Sequence, residues 1–139
     1  MDSGALSRIG TDGKDPMAPQ ISTLADLYQR SIVTYAENPL FGTRSSNGDW
    51  EWMNYTEFGE AVEKARGGLA AVGVGAGDRV AIIADNRVEW AVGAYATYTL
   101  GAAWVPMYEA QTQKDWAYIL KDSGSKVVFA ADDGIRAQV

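Results

Sequence analysis

The chain has 139 residues, 47% of them apolar and 22% charged, and its 12 basic and 18 acidic side chains give a net charge of −6. A chain of this size can bury roughly two-thirds of its unfolded surface, so a real core is possible. Without cysteine or histidine it can have no disulfide, thiolate metal site, cysteine nucleophile or imidazole base, and its acidic balance argues against a nucleic-acid grip.

Residues 1–20 include five Gly or Pro and no apolar run of signal-peptide length, so they read as a flexible tail, and the chain is expected in the cytoplasm. Ser22 or Thr23 can then cap a helix with Leu24, Leu27, Tyr28, Ile32 and Tyr35 on one face, ended by Asn38-Pro39. Leu40 to Arg44 and Trp50 to Met53 flank the polar run Ser45-Ser46-Asn47-Gly48-Asp49, and Asn-Gly between apolar runs predicts a β-hairpin over about 40–53. Trp50 and Trp52 alternate with Glu51, so they share one face, either core or a contact patch. Thr56 is expected to cap a second helix. Its Phe58, Ala61, Val62, Ala65, Leu69 and Val72 keep a 3.6-residue period up to Gly73, while Glu57, Glu60, Glu63, Lys64 and Arg66 face water.

From residue 79 onward short continuous apolar runs alternate with helices, the pattern of strands buried on both faces. Val80 to Ala84, Ala103 to Met107 and Val127 to Ala131 read as strands. A nearly all-apolar helix over about 87–100 and one over about 112–121, with Trp116, Ile119 and Leu120 inward, separate them. The order is βαβαβ over about 79–131, and the right-handed crossover rule makes it a parallel sheet with helices on its faces, in the α/β class. Trp90, Trp104 and Trp116 fall inside this unit as core. The uncharged stretch from Trp90 to Tyr108 is long enough for a membrane window, but its Gly, Thr and Pro content makes a helix, a turn at Gly101 and a strand the better reading, and no membrane span is expected. Residues 132–139 look like the start of another helix after only three strands, so the chain is expected to be part of a longer protein.

The candidate motifs each have a plainer explanation. Gly73-Val74-Gly75-Ala76-Gly77 resembles a phosphate loop in composition, yet it follows a helix and opens a strand, the reverse of a dinucleotide fingerprint; a helix C-cap and tight turn account for it. Ligands of open α/β sheets gather beyond the carboxyl ends of the strands, here Asp85-Asn86, Tyr108-Glu109 and Asp132-Asp133. Asp85, Glu109 and Asp132 offer hard oxygens for magnesium, against the plainer roles of Asp and Asn as helix caps and turn formers. A phospho-acceptor reading of Asp132-Asp133 is weak, because no lysine follows a later strand. Tyr108 can offer a hydroxyl to a ligand or pack a turn.

Four segments carry more. Gly77-Asp78-Arg79-Val80-Ala81-Ile82, Asn86-Arg87-Val88-Glu89-Trp90, Gly101-Ala102-Ala103-Trp104-Val105-Pro106-Met107-Tyr108 and the run from Tyr118 to Val127, in this order and spacing, resemble the N-terminal subdomain of AMP-forming acyl-CoA synthetases. The similarity begins near Thr23, runs to the end of the chain, and looks most like the long-chain fatty-acid branch. It implies that residues 21–139 are the N-terminal portion of an adenylate-forming ligase. Such an enzyme makes an acyl-adenylate from a fatty acid and ATP with magnesium, then passes the acyl group to coenzyme A. The family's phosphate loop, adenine and ribose contacts, acyl pocket and adenylation lysine find no match here, so no catalytic, cofactor-binding or metal-ligating residue is carried over. ATP, magnesium and CoA are expected for the parent enzyme and none for this chain alone. The expected partners are the rest of the synthetase and a possible second copy through the tail and first helix. Two alternatives stay open: a free-standing non-catalytic α/β interaction module, and a ligase of the same family acting on aryl or amino acids. With a charge of −6 the chain offers no steering toward anionic ATP or CoA.

Overall fold

The computed structural model describes residues 20–139, so the expected tail, apart from Gln20, lies outside the described residues. Helix α1 (Leu24–Thr34) opens with a capping box: Thr23 Oγ1 accepts the Asp26 N–H and the Asp26 carboxylate accepts the Thr23 N–H, both at 3.0 Å. The helix stops at Thr34, four residues before the Asn38-Pro39 pair, and a turn spans the gap. Of its apolar face only Tyr28 is buried, and Leu24, Leu27 and Tyr35 remain exposed, because α1 lies over one corner of the second and third helices instead of being enclosed.

The hairpin forms as the Asn-Gly signal predicts. Strand β1 (Pro39–Arg44) pairs antiparallel with β2 (Trp50–Asn54), with Arg44 opposite Trp50 and Gly42 opposite Trp52, and Gly48 takes the positive φ that the turn needs. Helix α2 (Tyr55–Ala71) begins two residues earlier than expected. Its cap is Asn54, not Thr56: Asn54 Oδ1 accepts the Glu57 N–H and Glu57 Oε2 accepts the Asn54 N–H, both at 2.8 Å. Asn54 leaves the strand with extended backbone, and only there can its side chain reach the third helical amide. Thr56, already inside the helix, donates its hydroxyl to the Ala36 carbonyl at 3.1 Å and ties the helix start to the turn after α1.

The βαβαβ unit follows: β3 (Arg79–Ile83), α3 (Val88–Thr99), β4 (Ala103–Met107), α4 (Gln113–Ser123) and β5 (Val127–Ala130), with a last short helix α5 (Asp133–Arg136). The sheet is parallel, in the order β4-β3-β5, with Ile82 lying between Pro106 and Phe129. The 90–108 window divides into α3, a turn at Gly101 (φ 70°) and β4. Among the described residues no helix is long and apolar enough to cross a membrane.

Alternation along β3 splits the core in two. Val80 joins Tyr28, Phe58, Val62, Leu69 and Ala96 on the side of α2 and α3. Ala81 and Ile83 join Met107, Trp116 and Ile135 on the side of α4 and α5. Of the three tryptophans expected inside, Trp116 is buried, whereas Trp90 and Trp104 are half-buried and stack edge to face at 5.8 Å. Trp50 and Trp52 are exposed, lie 6.1 Å apart, and Arg44 sits 5.0 Å from the Trp50 ring centre.

Candidate functional site at the carboxyl ends of the strands

The three strand ends fall together at one edge of the sheet. Beyond β3 and β4 opens a pocket of about 490 Å³ lined by Ala84, Asp85, Asn86, Trp90, Pro106, Met107 and Tyr108. Its rim is built by backbone fixation. The Tyr108 N–H donates to Gln111 Oε1 at 3.0 Å, and its carbonyl accepts the buried Trp116 indole N–H at 3.0 Å. With its backbone held at both groups, Tyr108 leaves its side chain 74% exposed, so it does not pack the turn. The Tyr108 backbone is held by Gln111, which periodicity misses, and by Trp116, which periodicity places inward without giving its indole bond to the Tyr108 carbonyl.

Among the described residues the carboxylates at these strand ends do not form a cation site. Glu109 Oε1 accepts the Asp85 N–H at 2.8 Å, and Asp132 Oδ1 accepts the Ile135 N–H at 2.8 Å as the cap of α5. Asp132 thus has the plainer of its two expected roles. Asp85 and Asn86 do not cap α3, although Asn86 lies at a bend: the cap position is Arg87, which makes no side-chain capping bond, while its guanidinium donates to the Ala131 carbonyl at 3.3 Å and joins the β3 end to the β5 end. Among the described residues no group of three His, Cys, Asp or Glu could hold a metal ion, so the donor set at this edge does not fit magnesium.

The glycine-rich segment lies at the opposite edge. Gly73 (φ 86°) ends α2 in a paired-bond C-cap: its N–H reaches the Ala70 carbonyl at 2.9 Å and the Val74 N–H reaches the Leu69 carbonyl at 3.0 Å. Asp78 Oδ2 accepts the Gly75 N–H and the Lys126 ammonium, both at 2.8 Å, and Lys126 also donates to the Gly73 carbonyl at 2.7 Å. The Lys126 ammonium, then the Gly75 amide, hold the Asp78 carboxyl below the usual carboxylate range. The loop's polar groups are therefore engaged within the protein, as a C-cap and turn, and not arrayed around a phosphate.

Solved structures place this arrangement in the adenylate-forming fold. IdnL1 superposes with a TM-score of 0.75 at 18% identity, over 83% of this chain and 23% of that one, a likeness of fold alone. A Mycobacterium tuberculosis fatty acyl CoA synthetase superposes with a TM-score of 0.67 at 26% identity, over 78% of this chain and 21% of that one.

The family model described as AMP-binding enzyme matches residues 29–139, and the chain belongs to that family. Among its relatives, the long-chain-fatty-acid–CoA ligase FadD15 of Mycobacterium bovis is 37% identical over 90 residues, 65% of this chain and 15% of the relative. The peroxisomal long chain acyl-CoA synthetase 7 of Arabidopsis thaliana is 30% identical over 118 residues, 82% of this chain and 17% of the relative. The chain thus spans about 15–17% of the length of these curated relatives.

Proposed function

We propose that this chain is the opening portion of the N-terminal domain of an AMP-forming long-chain fatty acid–CoA ligase. The observation that carries the reading is the match to the AMP-binding enzyme family over residues 29–139, with long-chain acyl-CoA ligases among the relatives. In the reaction a fatty-acid carboxylate oxygen bonds to the α-phosphorus of ATP and pyrophosphate leaves. The thiol sulfur of coenzyme A then bonds to the acyl carbon, AMP leaves, and the thiol proton goes to solvent. The long-chain relatives support a fatty-acid substrate over aryl or amino acids, the family and the relatives support ATP and CoA as parent-enzyme requirements, and magnesium is proposed as the counter-ion of ATP. A cytoplasmic location for the parent enzyme is part of this reading; one relative is peroxisomal by name. A dimer through α1 would cover its exposed Leu24, Leu27 and Val33.

In this reading the described residues act as scaffold: the Glu109 and Asp132 carboxylates accept backbone and capping bonds, the glycine segment is a C-cap, and no lysine is among the residues lining the strand-end pocket. Their work is to hold β3 and β4 rigidly beside the pocket, since positioning on rigid elements is what adenylation chemistry demands of a scaffold. The test is ATP-dependent fatty-acyl hydroxamate formation in the presence of hydroxylamine. The purified chain should give none above background, and the full-length gene product should give it with long-chain acids. Hydroxamate from the chain alone, or a full-length product inactive with every fatty acid, would refute the reading.

A further inference from the structure

The two edges of the parallel sheet are unlike. The Ala103 N–H reaches inward to the Asp78 carbonyl at 2.8 Å, so alternation along the ladder turns the backbone of Trp104 and Pro106 outward. Pro106 therefore removes a donor from the outer edge of β4 and costs the β3–β4 ladder nothing. On the other side the Ala131 N–H reaches inward to the Ile83 carbonyl at 3.0 Å, with Ala81 opposite Val128 and Ile83 opposite Ala130, which turns the N–H and C=O of Val128 and Ala130 outward. Neither residue is a proline, Val127–Ala130 carries no charge, and among the described residues no strand lies beyond β5. The devices that ordinarily blunt an edge are present on β4 and missing on β5. Phe129, on the α3 side within 6.2 Å of the Trp104 ring, is still 37% exposed.

Handedness says which edge a further strand takes. From β3 to β4 the chain crosses over the face that carries α3; from β4 to β5 it reverses direction and crosses over the opposite face, carrying α4, so both crossovers share one hand. After β5 the chain enters α5, whose Ile135 packs beside Trp116 on the α4 face. A crossover that leaves by that face with the same hand continues in the β4-to-β5 direction, onto the outer edge of β5.

From these observations we infer that the outer edge of β5 is the acceptor for a further parallel strand, supplied by the polypeptide C-terminal to the matched segment in the ligases of which this chain covers about 15–17%. The inference rests on the ligase reading above and adds the surface through which this portion joins the rest of the domain. The arriving strand exchanges hydrogen bonds with Val128 and Ala130 and lays apolar side chains over the Phe129 ring.

Amide hydrogen exchange on the chain tests the edge itself: Val128 should exchange at least roughly a hundredfold faster than Phe129, whose N–H lies in the ladder. Equal protection, with or without a dimer on size exclusion, overturns the inference. The occupant is tested in a chimera carrying residues 20–139 in place of the matching stretch of Mycobacterium bovis FadD15. Val128→Ala and Val128→Pro both lose the isopropyl group, but only the proline loses the outward N–H. The melting-temperature gap between them should be wider in the chimera than in the chain alone by about 5 °C or more; equal gaps overturn the inference. An inactive chimera with the wider gap rejects the ligase reading and leaves the edge standing, and an active chimera with equal gaps does the reverse.

Discussion

The ammonium of Lys126 joins three segments that are distant in sequence: the end of α2 at Gly73, the approach to β3 at Asp78 and the approach to β5. Because Asp78 is held below the usual carboxylate range, its contribution to stability is present above the unfolded-state pKa, about 3.9, and is lost as pH falls through the folded-state value. Asp78→Asn should therefore melt below the parent chain at pH 7, with the difference closing below about pH 4; a difference constant down to pH 2 would show that the charge does not matter there. Shape sets a second constraint, at Gly93. A Cβ at this position would come within 2.6 Å of Trp104 Cη2, so Gly93→Ala should cost about 1–3 kcal/mol. Trp104→Phe shortens the ring and removes a buried indole N–H that has no hydrogen-bond partner, so the double variant should recover much of the loss. Additive costs in a urea-unfolding cycle would reject that steric account.

Helix ends are where sequence and structure can be compared most closely. Gly73 and Gly67 lie six residues apart on α2 or its cap, yet they should respond in opposite ways to alanine. Gly73 needs φ 86°, so Gly73→Ala should cost about 1 kcal/mol or more. Gly67 sits inside the helix with open space where a Cβ would stand, and Gly67→Ala should add about 0.5–1 kcal/mol; equal signs in chemical denaturation would contradict the assignment. The glycine stops were legible because they follow apolar periods that end on the preceding turn, and the hairpin because Asn-Gly separates two apolar runs. The cap of α2 was not: both Asn54 and Thr56 suit the position, and which one fills it depends on where β2 releases the chain. The strand-end edge was legible only as a location. Asp85, Glu109 and Asp132 all stand at the carboxyl ends of the strands, but pairing Glu109 with the Asp85 amide is a tertiary hydrogen bond that no spacing encodes. The exposure of Tyr108 likewise follows from the Gln111 and Trp116 bonds to its backbone.

At the scale of the whole molecule, the two apolar clusters lie on opposite faces of one narrow sheet and share its central strand. Val80 belongs to one, Ala81 and Ile83 to the other, and all three are fully buried. Because β3 has partners on both edges and helices on both faces, neither cluster can open without exposing its backbone. Val62→Ala, in the α2–α3 cluster, and Ile83→Ala, in the α4–α5 cluster, each leave a cavity where the parent side chain is 0% exposed, at a cost of about 1–3 and 2–5 kcal/mol respectively. If β3 couples the two faces, both variants should lower the midpoint of a single thermal transition, with far-UV dichroism and tryptophan fluorescence superimposable in each. Trp116 reports the Ile83 side and Trp104 the Val62 side, so uncoupled faces would appear as separated fluorescence and dichroism curves in Ile83→Ala. A superimposable transition would mean that the carboxyl ends of β3 and β4 stay fixed until the whole unit unfolds, as a scaffold beside the strand-end pocket requires.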